Sequence, residues 1–427
     1  MLIQRATLLD GRTADIRVEE HIVDVAERLK PRRGEAAYDA AGGAVVPGLH
    51  DHHVHLRSAA AAQDSIRVGP AEVRDRDDLA RLLAATPVGA DGWIRAVGYH
   101  ESVAGPLDRA SLDAISPPVP VRIQHRSGVL WTLNSAGLAR VGLADHPDGR
   151  LASADHSWSN LLPRNETGLA DLGRRLAGYG VTGLTDATPD LAADDVAALR
   201  GALPQRVHHL APGKRILHDT DLDLDELTAW IAARHAEDVP VAVHCVTAAQ
   251  LVVTLAALQA AGRHPRDRIE HAAVVPDAGV ADLTGLTVVT QPNFVAERGD
   301  QYLVDVPAAE HHELWRLASL LRASVPVALS TDLPFGHEDP WRALRAAVTR
   351  VTAGGVALGA PEAVTARDAL RMFCGRAQDP ARPREVAVGE PGDLCVLSVP
   401  PDEALDALDS AMVAATVIAG RVVFERG

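Results

Sequence analysis

The chain has 427 residues, a length that suits a large barrel enzyme with an accessory module. Its 57 acidic residues outnumber 42 basic ones, for a net charge of −15, and no basic cluster stands out, which argues against a nucleic-acid partner. Three scattered cysteines, the lack of a membrane-length apolar run and the lack of a signal-peptide pattern predict a cytoplasmic protein without a membrane partner.

Both ends of the chain show short strand patterns punctuated by glycine. The N-terminal patterns cover 2–9, 15–19, 22–25 and 44–46, and the C-terminal ones cover 392–397, 415–418 and 421–424. Two β-rich ends around a long middle predict one small β domain assembled from residues 1–48 and 376–427.

Residues 49–375 alternate short apolar strands with amphipathic helices, which is typical of βα units and a parallel sheet. Helices are predicted, for example, at 224–235, 248–261, 310–323 and 341–352. Eight strands, the number that a (β/α)8 barrel needs, are predicted at 49–55, 183–187, 206–210, 215–217, 241–246, 268–274, 287–291 and 325–330.

Residues 57 to about 165 are too many for one βα step. They are predicted to form an insertion after the first barrel strand, with strands of their own at 93–99 and 121–125.

The first barrel strand carries four histidines between positions 50 and 55. Because alternate side chains of a strand share a face, His53 and His55 point the same way and can bind one cation. Solvated histidines in a polar turn are the alternative, and the Pro47-Gly48 lead-in with Asp51 favours the metal site.

Single polar residues follow three later strands. His244 and His271 each end an apolar or mixed strand, where barrel enzymes place their chemistry, although a lone histidine there is often a core residue. Asp332 follows an apolar run and needs a partner or a metal; the alternative is an Asx turn before Leu333-Pro334. Glu270 lies on the opposite strand face and is predicted to pack or to support the ligands.

Lysine is nearly absent from this chain. Only Lys30 and Lys214 are lysines among the 42 basic residues. Lys214, at the start of the fourth strand, is either an ordinary surface lysine or a position that needs an amine able to lose its proton, which arginine cannot do.

With these motifs assembled, the sequence resembles the amidohydrolase superfamily and, within it, the family-3 amidohydrolases. The similarity rests on residues 47–56, Asn134-Ser135-Ala136, Arg268-Ile269-Glu270-His271, Ser330-Thr331-Asp332 and Pro391-Gly392-Asp393-Leu394. It implies an α/β fold: a TIM-like (β/α)8 barrel with an insertion after the first strand and a β-sandwich made by both termini.

The resemblance also implies the chemistry. His53, His55, His244 and His271 are the implied metal ligands, Asp332 is ligand and proton shuttle, and Lys214 is carboxylated and bridges two metals. The expected cofactor is one or two divalent ions, with zinc favoured. His125, His218 and Arg298 are candidate substrate-binding residues.

The implied reaction is hydrolysis of a C–N bond in a small non-peptide amide, N-formyl compound, carbamate or cyclic amide by a metal-activated hydroxide. Deamination of an aromatic amine and hydrolysis of an ester or lactone are alternatives, and a metal-free scaffold is disfavoured because all five ligand positions outside Lys214 are intact. The expected partner is a small-molecule substrate, and the sequence leaves monomer and homo-oligomer both open.

Overall fold

Short aliphatic and β-branched runs bounded by glycine, proline and polar turns form the strands of the computed structural model, which describes residues 1–152, 158 and 168–427. In chain order the strands are β1 (Leu2–Thr7), β2 (Thr13–Val18), β3 (Ile22–Ala26), β4 (Ala37–Asp39), β5 (Val45–Pro47), β6 (Leu49–Val54), β7 (Ile66–Arg67), β8 (Ile94–Tyr99), β9 (Val121–His125), β10 (Leu130–Leu133), β11 (Arg150–Ala152), β12 (Val181–Asp186), β13 (Arg206–His209), β14 (Lys214–Arg215), β15 (Ala242–Cys245), β16 (Arg268–His271), β17 (Thr287–Thr290), β18 (Val327–Leu329), β19 (Gly375–Arg376), β20 (Asp379–Pro383), β21 (Leu394–Leu397), β22 (Val413–Ile418) and β23 (Arg421–Glu425).

The helices begin mostly at capping residues, as at Thr247, whose hydroxyl accepts from the Gln250 amide. The described helices are α1 (Leu56–Ala62), α2 (Arg76–Ala85), α3 (Glu101–Ala104), α4 (Arg109–Asp113), α5 (Ser135–Arg140), α6 (Leu169–Gly178), α7 (Ala193–Ala202), α8 (Leu224–Ala236), α9 (Ala248–Ala261), α10 (Gly279–Asp282), α11 (Asn293–Asp305), α12 (Ala318–Arg322), α13 (Pro340–Thr349), α14 (Ala366–Phe373) and α15 (Pro401–Ala407). Short 3-10 helices cover Asp219–Asp221, Ala308–Glu313, Ala360–Glu362 and Ser410–Met412. Within the described ranges, no helix combines the length and the hydropathy needed to cross a membrane.

The fold is mixed α/β with parallel sheets. A three-stranded sheet has the order β13-β12-β6 and a five-stranded sheet the order β14-β15-β16-β17-β18, and every pairing in both is parallel. Each of the eight predicted strand regions of the middle segment overlaps one of these strands, and the overlap is smallest at β14, which shares only Arg215 with the predicted 215–217. Connecting helices such as α8 and α9 separate consecutive parallel strands, as βα units require.

The end of β6 is hydrogen-bonded to the segment that follows β18. The amide of Asp332 donates to the His53 carbonyl at 3.1 Å, and the amide of His55 donates to the Leu333 carbonyl at 2.8 Å. Val54 and Leu333 form a parallel bridge. The first and last of the parallel strands therefore meet at their C-terminal ends.

Several predicted elements of this segment were wrong in extent. The helix predicted at 341–352 ends at Thr349, where Arg350 adopts a left-handed φ of 53°. The helix predicted at 310–323 is broken, because Leu314 bridges Val274 and Trp315 has a left-handed φ of 50°. The strand predicted at 268–274 ends at His271, since His271 and Ala272 adopt positive φ values of 70° and 48°.

Strands from both chain ends form two four-stranded sheets with the orders β3-β2-β1-β4 and β23-β22-β21-β5. Alternate residues of these strands turn inward, so aliphatic side chains of the two sheets share one buried core. That core includes Ile3, Ile16, Val45, Val396 and Val417.

The chain divides into two compact units, Met1–Leu56 with Leu169–Gly427, and Arg57–Gly168. The second unit contains a sheet with the order β11-β10-β9-β8-β7 over an aliphatic core that includes Leu79, Ile94 and Val121. The predicted end of the insertion near residue 165 lies outside the described residues, and the boundaries at 48/49 and 375/376 stay predictions.

Candidate metal centre

The two histidines at the end of β6 lie beside the acid that follows β18. The Nε2 atoms of His53 and His55 are 3.7 and 3.6 Å from Oδ1 of Asp332. One ligand atom from each of the three residues can be chosen so that all lie within 4.8 Å of one another, and this is the group in the described chain that could hold a metal ion. The backbone hydrogen bonds between β6 and residues 332–333 bring these side chains together.

His271 and His244 extend this group along neighbouring strands. The ring centroid of His53 is 5.3 Å from that of His55 and 4.7 Å from that of His271. The His271 ring is in turn 4.5 Å from the His244 ring. Four imidazoles from three strands therefore form a continuous row, and the positive φ of His271 turns the end of β16 toward it.

The four imidazoles of this group, two buried and two half-buried, are neutral at physiological pH. Burial lowers the pKa of His55 and of His244 to about 3. Burial also lowers the pKa of His53 and of His271 well below the usual value. Neutral imidazole is the form of histidine that binds metal.

Asp332 is buried with a left-handed backbone, φ 57°, and burial raises the pKa of its carboxyl to about 8. Its Oδ1 has no hydrogen-bond partner within the described part of the chain. Because an unpartnered buried carboxylate is costly, a cation beside Oδ1 fits the local chemistry.

Lys214 begins β14 and its side chain is buried with the same group. Its charge lowers the pKa values of His53, His55 and His244, while Glu270 and Asp332 oppose the lowering of its own pKa. Burial lowers the pKa of Lys214 to about 8, and Nζ finds no hydrogen-bond acceptor among the described residues. The amine therefore lies among the histidines and acids and not at the surface.

Two of the four imidazoles are held through their second nitrogen. His53 Nδ1 donates to Glu270, and His271 Nδ1 donates to Gln291 Oε1 at 2.9 Å. Gln291 is oriented by its own donation to the Ser330 hydroxyl at 2.8 Å. Each contact leaves the Nε2 lone pair of the histidine free for a metal.

Asp51 entered the sequence analysis only as part of the histidine motif, and neither Asp51 nor Gln291 was given a role there. The Thr331 hydroxyl and amide both donate to Asp51, at 2.5 and 3.1 Å, which ties β6 to the residue before Asp332. The sequence signal that could have assigned them a role is their position. Asp51 lies in the histidine-rich strand β6, and Gln291 lies at the C-terminal end of β17, as His271 lies at that of β16.

Two of the three candidate substrate-binding residues lie near this group. The charge of His218 contributes to the low pKa of His244. Arg298 lies 3.9 Å above the Phe294 ring, donates to the Phe335 carbonyl at 2.7 Å and acts against the raised pKa of Asp332. The Phe335 ring packs edge-on against His55 with 5.3 Å between centroids.

The third candidate, His125, lies in the unit Arg57–Gly168. Its Nε2 is 3.0 Å from Oε2 of Glu101, and its Nδ1 is 2.7 Å from the Ser127 hydroxyl. These contacts are made within its own unit.

Comparison with known proteins gives matches over nearly the whole chain. The family model described as "Amidohydrolase family" matches residues 36–424. The N-substituted formamide deformylase of Arthrobacter pascens is 25% identical to this chain over 501 residues, covering 92% of the chain and 92% of that protein.

Solved structures share the fold at lower identity. A metal-dependent hydrolase of uncharacterised activity from Pyrococcus horikoshii OT3 superposes with a TM-score of 0.72 at 18% identity, covering 94% of this chain and 97% of that one. A mutant atrazine chlorohydrolase from Arthrobacter aurescens TC1, solved with zinc and atraton, gives a TM-score of 0.55 at 16% identity, with coverage of 99% and 95%.

Proposed function

Since this chain belongs to the amidohydrolase family, we propose that it is a metal-dependent hydrolase which cleaves a C–N bond of a small non-peptide amide at the His53–His55–Asp332 group. The chain is an amidohydrolase, and its formamide deformylase relative acts on a C–N bond. The proposal adds the site, the cofactor and the substrate class. The observation that carries it is the convergence of two neutral imidazoles and one carboxyl group within 4.8 Å.

The proposed frame for this site is a closed (β/α)8 barrel. Its support is the hydrogen bonding of the end of β6 to residues 332–333, which links the first of eight parallel strands to the last. The proposed β-sandwich of residues 1–48 and 376–427 is supported by the aliphatic core that its two sheets share.

We assign the metal ligands as His53, His55, His244, His271 and Asp332, with Lys214 as a bridge between two ions. When bound, a divalent cation supplies Lewis-acid activation of water and of the substrate carbonyl. Zinc suits three or four imidazole nitrogens with a carboxylate. The zinc in the structurally similar atrazine chlorohydrolase supports the same choice.

Asp332 is the proposed proton carrier. Its unpartnered Oδ1 faces the two imidazoles of β6, so it can accept a proton from the attacking water and return it to the leaving amine. Asp51 holds the preceding residue, Thr331, by two hydrogen bonds, which fixes the backbone that presents this carboxyl group.

Lys214 would act after carboxylation. Its neutral amine adds to carbon dioxide, forming an N–C bond and releasing one proton, and the resulting carbamate has two oxygens for two cations. The position of the buried, unpartnered Nζ among histidines and acids supports this assignment. The nearly complete replacement of lysine by arginine elsewhere in the chain supports it too.

The proposed substrate class is the N-substituted formamides, because the curated relative with 92% mutual coverage acts on them. Water and the formamide give formate and the protonated amine, so no co-reactant is needed. Other non-peptide amides, carbamates and cyclic amides share the same bond and are competing outcomes.

The test is a substrate panel on the purified, metal-analysed enzyme. The panel contains N-alkyl and N-aryl formamides, carbamates, cyclic amides, lactones and aromatic amines, and Asp332→Asn serves as the inactive control. Hydrolysis of a formamide by metal-loaded enzyme supports the proposal. A preference for a lactone or for an aromatic amine would show that the proposed substrate class is wrong. Protein that binds no divalent metal would refute the metal-dependent mechanism.

A further inference from the structure

Arg268 and Glu270 form a buried ion pair on one face of β16, directly beside the proposed metal centre. Their side chains are 5% and 0% exposed. The guanidinium Nε donates to Oε1 of Glu270, and an NH2 group donates to Oε2 at 3.1 Å. The two contacts make this pair bidentate, a geometry that holds the carboxylate plane in one orientation.

Both members of the pair also reach β6. The guanidinium of Arg268 donates to the His52 carbonyl at 2.7 Å, and Glu270 accepts from Nδ1 of His53. The sheet neighbours of β16 are β15 and β17, whereas β6 pairs with β12 and meets residues 332–333. The pair therefore connects two strands that are not neighbours in either sheet.

The hydrogen bond made by Nδ1 of His53 differs from the one made by Nδ1 of His271. Gln291 holds His271 through a neutral amide, whereas His53 meets a carboxylate that is itself paired with arginine.

An ion pair at this depth is weak evidence for stability, because desolvation offsets most of its attraction. The contacts of the pair instead determine which ring nitrogen of His53 carries the proton. With Nδ1 protonated toward Glu270, the lone pair of His53 is on Nε2, the atom 3.7 Å from Asp332 Oδ1.

We infer that Arg268 and Glu270 are positioning residues which fix the tautomer and the ring orientation of His53 before any metal is bound. This inference rests on the proposed function, because it takes His53 as a metal ligand. Glu270 sets the protonated nitrogen, and Arg268 holds Glu270 in place while anchoring the backbone one residue before His53.

The experiment compares variants of the pair with a matched control. Glu270→Ala removes the acceptor, Glu270→Gln keeps an oxygen acceptor without the charge, and Arg268→Lys keeps the charge without the bidentate contact. The control is Arg316→Lys, at a second buried arginine, whose Nε is 3.5 Å from Glu362 and which the structure connects to no histidine of the centre.

Two readouts separate positioning from general destabilisation. The 15N chemical shifts of the His53 ring in metal-free protein report its tautomer, and competition with a chelator reports the affinity for zinc. We expect wild type and Glu270→Gln to show protonated Nδ1 and Glu270→Ala to show a tautomer mixture. We expect roughly 10- to 100-fold weaker zinc binding in Glu270→Ala and Arg268→Lys, a smaller loss in Glu270→Gln and none in Arg316→Lys.

Three outcomes would overturn the inference: protonated Nε2 on His53 in the wild type, wild-type zinc affinity in both Glu270→Ala and Arg268→Lys, or an equal loss in Arg316→Lys. If Glu270→Ala does not fold, Glu270→Gln and Arg268→Lys decide the affinity question. A wild-type protein that binds no zinc refutes the proposed function instead, and the tautomer in metal-free protein still decides the positioning of His53.

Discussion

The sheets made by the chain ends and the parallel strands of the middle bury different chemistry. Between the terminal sheets the buried side chains are aliphatic, as at Ile3, Ile16 and Val396. At the ends of β6 and β16 they are imidazoles, carboxylates and a guanidinium, as in His53 and the Arg268–Glu270 pair.

Under the proposed function, the terminal sheets stabilise the chain and the ends of the parallel strands perform the chemistry. Burial of aliphatic surface contributes about 25 cal/mol per Å², whereas a buried polar group costs free energy unless it is paired. Among the described residues, Lys214 Nζ and Asp332 Oδ1 are buried without a hydrogen-bond partner, a cost that the proposed metal site would explain.

Removing residues 376–427 should have the largest effect. The deletion takes away β21, β22 and β23, which leaves the inward faces of β1 and β2 uncovered and the edge of β5 unpaired. We expect insoluble or unfolded protein, measured by soluble yield and circular dichroism. A soluble, active enzyme without these residues would contradict a shared terminal core.

Asp332→Asn should leave the fold intact and abolish most activity. The amide keeps the size of the side chain but cannot accept the proton of water, so kcat should fall at least ~10²-fold. The melting temperature and metal content should stay close to wild type. Near-normal turnover in a folded, metal-loaded variant would remove Asp332 from the proton-transfer role.

Lys214 variants should separate stability from metal binding. Lys214→Met has a similar volume without a buried amine, so the metal-free protein should be more stable by about 1–3 kcal/mol. Lys214→Arg keeps a charge but cannot be carboxylated. Both should lower the metal content from two ions per chain to one or none, measured by elemental analysis.

For Lys214, the contradicting result is two ions per chain in either variant, or a fully active wild-type enzyme whose mass shows an unmodified lysine. The first result would show that Lys214 holds no metal. The second would favour a one-metal site.

Ile16→Val should lower the stability of the protein and leave the proposed metal site unchanged. Ile16 is fully buried on β2, and loss of one methylene group there should lower the free energy of unfolding by about 0.5–1.5 kcal/mol. Metal content and kcat should not change. Val304→Ala, at a residue that is 79% exposed on α11, is the control and should leave the unfolding midpoint unchanged.

The smallest effect is expected at the Arg17–Glu35 pair beside the terminal sheets. A side-chain hydrogen bond from Arg17 lowers the pKa of the Glu35 carboxyl from 4.5 to about 2. The folded-state pKa is thus below the unfolded one, so the pair stabilises the protein above about pH 4.5 and this contribution is lost as the pH falls toward 2.

Glu35→Gln should therefore lower the melting temperature slightly at pH 6, and the difference from wild type should shrink as the pH approaches 2. Thermal unfolding followed by circular dichroism over this range measures it. A difference that does not change with pH would show that the carboxylate charge contributes nothing.

The sequence by itself determined the local pattern. The alternation of His53 and His55 on a strand, the eight short apolar runs and the β-rich ends are all readable because period-two and period-3.6 patterns lie within one element. The helix predicted at 310–323 failed for the opposite reason, since a pairing between Leu314 and Val274 breaks the local pattern.

Only the tertiary structure decided which groups meet. Thr331 and Asp51 are 280 residues apart, and His53 and Glu270 are 217 residues apart, yet both pairs are hydrogen-bonded. Such contacts depend on the register between strands and on the turn of the backbone at each strand end, as at His271 and Asp332. A one-residue shift in register would send each of these side chains to the other face, which is why no local pattern specifies them.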